Sequence, residues 1–256
     1  MKKVTKIFAV AVMASLAAVA CTKSNTTGGN DDNGNNNGGG NEEEGIVIDG
    51  QFEDWAALAE TDVVAINVLA EASQQALRTL KFHNTEDVLY VYAECDPAVV
   101  GTEYDPSRDT YWEDKPAQRP LRFVWDTDNN AETGGYYSIT WPNAGFDSLL
   151  DVYIYADGGK VKSAWSEFWA FKETSEAGAN FVDNIAENEA LRDQIVSVAN
   201  VAGSLVKGWY SVEIAIDKVN FPNLGKTVKV ASTLMNQAWA EPGVLPSEEE
   251  PVELSL

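Results

Sequence analysis

Cysteine and histidine are almost missing from this 256-residue chain, which holds only Cys21, Cys95 and His83. Zinc centres built from His and Cys clusters are therefore excluded. So is a framework of internal disulfides, and the core has to stabilise itself. Cys95 ends the segment Val88–Cys95, VLYVYAEC, on the same face as Leu89, Val91 and Ala93. It reads as a small buried hydrophobe. His83 has no serine elbow or cysteine near it in sequence and reads as a solvent-facing strand residue, not a catalyst. No glycine-rich phosphate loop leads into a helix. A two-carboxylate glycosidase needs only acids, which abound, but no pair stands out. The chain reads as a non-enzyme, with glycoside chemistry the third-ranked alternative.

Basic residues are scarce as well. Eighteen Lys and Arg stand against 40 Asp and Glu, for a net charge of −22. Nucleic acids and anionic polysaccharides would be repelled. Neutral glycans and divalent cations remain compatible, and simple solubility explains the charge equally well. The apolar run Ile7–Ala20 is shorter than the roughly 20 residues of a membrane span.

That run follows Lys2, Lys3 and Lys6, and together residues 1–20 have the form of a secretory leader. Ala18-Val19-Ala20-Cys21 fits a relaxed bacterial lipobox, and Ala18-Val19-Ala20 fits ordinary leader cleavage too. The cysteine placed at the junction argues for lipidation of Cys21 and an acyl anchor in the bilayer. The expected location is the outer membrane, at the cell surface. Cleavage removes Lys2, Lys3 and Lys6 and takes the charge from −22 to −25. Residues 21–44 contain no apolar side chain after Cys21 and are expected to form a flexible tether with a reach of roughly 25–30 Å. Residues 45–256 then make one domain, large enough for a sizeable core.

Within that domain, short stretches of strand character alternate with Gly, Asp and Asn turns. The stretch Leu121–Tyr137, LRFVWDTDNNAETGGYY, opens with Leu121, Phe123 and Trp125 on one face and reads as a central hairpin turning at Gly134-Gly135. Other expected strands are Ile46–Ile48, Asp62–Leu69, Ala76–Phe82, Val88–Cys95, Tyr137–Trp141, Leu149–Tyr155, Lys160–Trp165, Glu167–Lys172, Trp209–Ile216 and Thr227–Met235. Asp157-Gly158-Gly159 is a hairpin turn, and Asp49-Gly50 turns into a short helical turn carrying Phe52 and Trp55. Asn184–Gln194 has helix-favouring residues and reads as one inserted helix. The fold class is all-β, an antiparallel β-sandwich or jelly roll.

Two constellations suggest binding. Asp126, Asp128, Asn130 and Glu132 put oxygen ligands at every second position, as a calcium site would want. It is not an EF-hand, because Ala131 and Tyr137 stand where that loop needs Gly and Glu; a polar loop turning through Asx hydrogen bonds fits the same residues. Second, Trp112, Trp141 and Trp239 lie in or beside polar, proline-bearing loops. Each either presents its indole face to solvent, where it could stack on a sugar ring, or packs over its own loop. Trp55, Trp125 and Trp209 read as core.

Ile48–Trp55 (IDGQFEDW), Leu89–Glu94 (LYVYAE), Trp112-Glu113-Asp114 and Phe123–Asp126 (FVWD) together resemble carbohydrate-binding module family 9. Asp128–Gly135 (DNNAETGG), Asn143–Leu150 (NAGFDSLL) and Trp239-x-x-x-Gly243-Val244-Leu245-Pro246 resemble a branch of cell-surface lipoproteins of Bacteroidota. The resemblance covers most of Gly45–Pro246, and Ser175–Lys207 stands outside it as an insertion. It implies a β-sandwich with structural calcium that clamps a terminal sugar between Trp112 and Trp239. Glu113 and Asp114 would bind hydroxyls, and Asp126, Asp128, Asn130 and Glu132 would hold the ion. The expected protein is a lipid-anchored, non-catalytic module for a neutral glycan. The alternative is a structural or adhesive surface lipoprotein whose partners are neighbouring surface proteins.

Overall fold

The computed structural model describes residues 45–100, 119–135, 137, 140–142, 144–171, 185–186, 201–236, 238–247 and 250–256. Antiparallel strands dominate and form one large, nearly closed sheet of sandwich or barrel type. Its strands are β1 (Val64–Asn67), β2 (Leu77–Asn84), β3 (Val88–Cys95), β4 (Arg119–Asp126), β5 (Ser148–Asp157), β6 (Lys160–Phe171), β7 (Ile185–Ala186), β8 (Val201–Val206), β9 (Trp209–Asp217), β10 (Thr227–Leu234), β11 (Gly243–Leu245) and β12 (Val252–Ser255). The hydrogen-bonded order is β1-β2-β3-β9-β8-β6-β5-β4-β10-β11; β12 also pairs with β10, and β7 with β6. Beside the strands lie two short helices, α1 (Glu53–Ala57) and α2 (Pro97–Val100).

Strand alternation explains the core. Leu121, Phe123 and Trp125 of β4, Leu150, Val152 and Ile154 of β5, and Val228, Val230 and Leu234 of β10 point into one large cluster with Leu80, Phe82, Leu89, Val91 and Ile214. Each such side chain, fully withdrawn from water, contributes about 1.5–3 kcal/mol. The opposite face of β4, β5, β10 and β11 is apolar as well: Val124, Leu149, Ala231 and Val244 pack under Trp141, Ala144 and Phe146. A sheet apolar on both faces needs a second cover. The loop between β4 and β5 supplies it.

Several expectations change here. The central hairpin does not form within Leu121–Tyr137; β4 pairs with β5 and with β10, and Trp125 stands opposite Ser148. Tyr137 and residues 140–142 are loop and turn rather than strand, and residues 45–48 are irregular. Lys160–Trp165 and Glu167–Lys172 belong to the single strand β6. Its partner register shifts between Tyr153 and Ile154, leaving one extra residue, Ala164, on β6. A bulge of this kind reverses the inward parity, so one strand reads as two. Of the proposed helix Asn184–Gln194 only Ile185–Ala186 is described, and that pair is β7. The insertion Ser175–Lys207 contains β8, a full member of the sheet between β6 and β9. The Gly158-Gly159 hairpin forms as expected, both residues at positive φ (58° and 77°).

The segment before β1 wraps the outside of β3 and β9. Ile46 and Trp55 are buried against Tyr92, and the turn at Asp49-Gly50 is clasped by Glu213 of β9. The Glu213 Oε1 accepts the Asp49 amide at 2.7 Å and the Gly50 amide at 2.5 Å. Gly50 sits at φ 80°, a conformation that glycine adopts without strain. Burial pushes the Glu213 carboxyl up to about 7, against those two amides, which favour the charged form; the Asp54 charge adds to the rise. The folded state therefore keeps a proton that the unfolded chain, near 4.5, has already released. Stability is expected to fall as pH rises from about 4.5 through about 7. Urea midpoints of the protein and of Glu213→Gln across pH 5–8 check this: the substitution should flatten the slope, and parallel slopes would assign the effect to other groups.

Candidate functional site

At the end of β4 the chain leaves the sheet at Asp126, and after a loop spanning Thr127–Asp147 it returns as β5. The loop begins with the side-chain-to-backbone bonds expected of Asx turns. The Asn130 amide donates to Asp126 Oδ1 and to Asp128 Oδ1, both at 3.0 Å, and the Glu132 amide donates to Asn130 Oδ1 at 3.1 Å. Thr133 Oγ1 donates to the Asp128 carboxylate and to the Asn130 carbonyl. The loop then closes on itself. A Cβ on Gly134 would lie 2.5 Å from the Gly145 and Phe146 carbonyl oxygens, and Gly135 and Phe146 exchange backbone bonds of 2.6 and 3.1 Å. Only glycine permits that approach at φ 71°.

This closure returns the chain beside its starting point. Since Trp125 pairs with Ser148, Asp126 and Asp147 are the next residues beyond the end of the β4–β5 ladder. Asp147 donates its amide to the Trp125 carbonyl, and its Oδ2 accepts from the Thr127 amide at 2.7 Å and Thr127 Oγ1 at 3.0 Å. One carboxylate oxygen from each of Asp126, Asp128 and Asp147 then falls within 4.8 Å of the others. Asp126 is fully buried, Asp147 half-buried and Asp128 exposed. Asp126 Oδ2 is buried and accepts no hydrogen bond. Burial pushes the Asp126 carboxyl up to about 6, with the Asp147 and Asp128 charges adding to it and the Asn130 amide opposing it. Burial raises Asp147 too, against its bonds from Thr127. Three carboxylates so placed can hold a hard cation through oxygen.

The acidic cluster overlaps the expected ligand set only in part. Asp126 and Asp128 are in the cluster. Asn130 Oδ1 accepts the Glu132 amide, and Glu132 is exposed and outside the cluster. Asp147 takes the open place. The readable signal for it was an acid two residues before Leu149, the apolar start of the next expected strand, which the antiparallel return sets against the acid ending β4.

The aromatic residues divide. Trp125 and Trp55 are buried as expected, while Trp209 is half-buried with the Arg78 guanidinium 4.5 Å from its ring centroid. Trp141 is no solvent-facing platform; it is 3 % exposed, packs edge-on to Phe146, and donates its indole N–H to the Pro246 carbonyl at 3.2 Å. Trp239 is 45 % exposed. It lies between β10 and β11 at φ 61°, a conformation costly for a bulky residue. Asn236 holds the turn: its Oδ1 accepts the Ala238 and Ala240 amides, its amide donates to the Ala240 carbonyl, and its carbonyl accepts the Trp239 amide. Trp112, Glu113, Asp114 and Cys21 lie outside the described residues. Cys95 is fully buried, and burial raises its thiol. His83 is half-buried, its Nδ1 2.9 Å from the Asp62 carbonyl oxygen and its ring stacked on Tyr90.

A buried ion pair joins β4 to β5. Arg122 Nε and Nη2 each lie 2.7 Å from an Asp151 carboxylate oxygen, with both side chains almost wholly buried. Burial alone would lower the Arg122 guanidinium; the Asp151 charge overrides it and holds it above its usual range. Tyr137, from the β4–β5 loop, lies over the guanidinium, 5.7 Å from its ring centroid, and donates its hydroxyl to Glu241 Oε1 at 2.5 Å. Glu241 is two residues from Trp239.

No protein-family model matches this chain, and no curated protein matches it. The resemblance to family 9 modules accordingly rests on the sequence segments quoted above.

Removing one member of the Arg122–Asp151 pair leaves the other charged and buried. Asp151→Ala is expected to lower the unfolding free energy by about 3–5 kcal/mol in a urea titration. A loss below about 1 kcal/mol would mean that water reaches the guanidinium.

Proposed function

We propose that this protein is a lipid-anchored, non-catalytic glycan-binding module displayed at the outer membrane. The observation that carries the reading is Trp239, which holds an exposed indole on a turn locked by Asn236. A flat apolar face carried on a hydrogen-bonded turn costs less entropy to order when a sugar ring stacks on it. Glu241 stands two residues away with acceptor capacity for hydroxyl groups. From the sequence alone, Trp112 with Glu113 and Asp114 would complete the clamp, and Cys21 with residues 22–44 would tether the domain to the bilayer. The strongly acidic chain suits a neutral glycan rather than an anionic one.

The cofactor in this reading is structural calcium at Asp126, Asp128 and Asp147. The support for it is the chemistry of the donors: three carboxylates, one fully buried with an oxygen that accepts nothing. Calcium accepts such flexible oxygen sets more readily than magnesium, which demands a strict octahedron.

Affinity electrophoresis of the purified protein in gels containing neutral or acidic polysaccharides tests the glycan reading. The protein should be retarded by a neutral glycan, and Trp239→Asn should bind about tenfold more weakly, equivalent to ~1.4 kcal/mol. Asparagine tolerates the left-handed backbone, so the loop survives and only the indole is lost. Undiminished binding by Trp239→Asn would remove that residue from the site. A folded protein retarded by none of the polysaccharides would shift the reading to a surface lipoprotein with a protein partner.

A further inference from the structure

We infer that cation occupancy at Asp126, Asp128 and Asp147 controls the order of the Trp239 loop, and through it the affinity for glycan. The glycan part rests on the proposed function; the link between the two loops does not.

The cation site has two supports. The three carboxylates have oxygens within 4.8 Å of one another. Separately, Asp126 is fully buried and its Oδ2 accepts no hydrogen bond, although an unsatisfied buried carboxylate oxygen is costly. A cation would satisfy that oxygen and offset the mutual repulsion of the three acids.

The site also has mechanical consequences. Asp126 and Asp147 stand at the two ends of the β4–β5 loop, and Asp128 holds Thr133 within it. Closing the carboxylates on one ion therefore fixes where the loop begins and ends. Between those ends the loop carries Tyr137, Trp141 and Phe146, whose rings pack together over the outer face of the sheet. Two polar contacts pass from this aromatic group to the neighbouring segment. Tyr137 donates to Glu241 before β11, and Trp141 donates to the Pro246 carbonyl after it. The cation-closed loop thus grips β11 on both sides, and the nearer grip is two residues from Trp239. An empty site leaves three repelling carboxylates at the base of the loop, a looser hold on Glu241 and a less ordered Trp239 turn. Coupling between two sites is ordinarily about 5–150-fold.

The test uses calcium itself. Amide hydrogen exchange, followed by mass spectrometry, is compared in millimolar calcium and in chelator for the full chain, Asp126→Asn and Tyr137→Phe. In the unsubstituted protein, calcium should slow exchange in the peptide covering residues 235–246 by about fivefold or more. Asp126→Asn should show no such response. Tyr137→Phe removes the hydroxyl that reaches Glu241, together with its contacts to Thr233 Oγ1 and Arg122 Nη1, and leaves the three carboxylates in place; it should still bind calcium by calorimetry and protect the β4–β5 loop, with the response at residues 235–246 much reduced. No calcium binding by the unsubstituted protein, or binding that leaves residues 235–246 unchanged, would overturn the inference. The same three proteins are then run against the neutral polysaccharide identified above, with and without calcium. Glycan affinity that tracks the exchange response supports control of the site. Glycan affinity that ignores calcium while exchange responds overturns that control, and protection by calcium with no glycan bound overturns the function while leaving the coupling in place.

Discussion

The pairing of β4 with β5 is the constraint on which the rest of this protein depends. Its register sends Phe123 and Trp125 into the main core while turning Arg122 and Asp151, direct partners in the ladder, to the other side. Its last pair, Trp125 with Ser148, sets Asp126 beside Asp147. One set of backbone hydrogen bonds thereby produces the core, a buried ion pair and an acidic cluster. A slip of one residue would reverse all three, because strand side chains alternate with a period of two.

The outer face of that sheet would be a liability if left bare. Val124, Leu149, Ala231 and Val244 form an apolar surface that water would reach. The β4–β5 loop covers it with Trp141 and Phe146, and the closure at Gly134 and Gly145 keeps that cover in place. The buried Arg122–Asp151 pair at its margin needs good geometry to offset desolvation, and the two 2.7 Å bonds provide it. The segment before β1 does comparable work over β3 and β9, with Glu213 as its clasp. Both covers lie outside the regular sheet, and a buried carboxylate holds each: Asp126 accepts the Asn130 amide, and Glu213 the Asp49 and Gly50 amides.

Much of the fold was legible in the residues. Val88–Cys95 and Trp209–Ile216 alternate cleanly and became β3 and β9, and Gly158-Gly159 forms the expected hairpin between β5 and β6. Reading failed where local pattern and pairing diverge. β6 looked like two strands because Ala164 bulges and shifts parity. β8 was missed inside the insertion Ser175–Lys207 because Ala202, Gly203 and Ser204 carry little strand character; Gly203 is there for close approach, a Cβ on it falling 2.5 Å from the Ser211 carbonyl oxygen. Tyr137–Trp141 has aromatic, strand-like composition, but its rings serve as a cover and not as a ladder.

The same division holds at the candidate site. Residue types alone determined that this would be an all-β protein whose Trp125 and Cys95 are buried, with oxygen ligands gathered after Phe123-Val124-Trp125. Strand periodicity and side-chain polarity are local properties, readable without knowing any partner. Only the tertiary structure decided that Asp147 joins Asp126 and Asp128 while Glu132 faces water, that Trp141 is buried under Pro246, and that Trp239 is held exposed. Each of those outcomes depends on which distant segment returns alongside, and that is set by antiparallel pairing across some twenty residues of loop, beyond the reach of any local pattern.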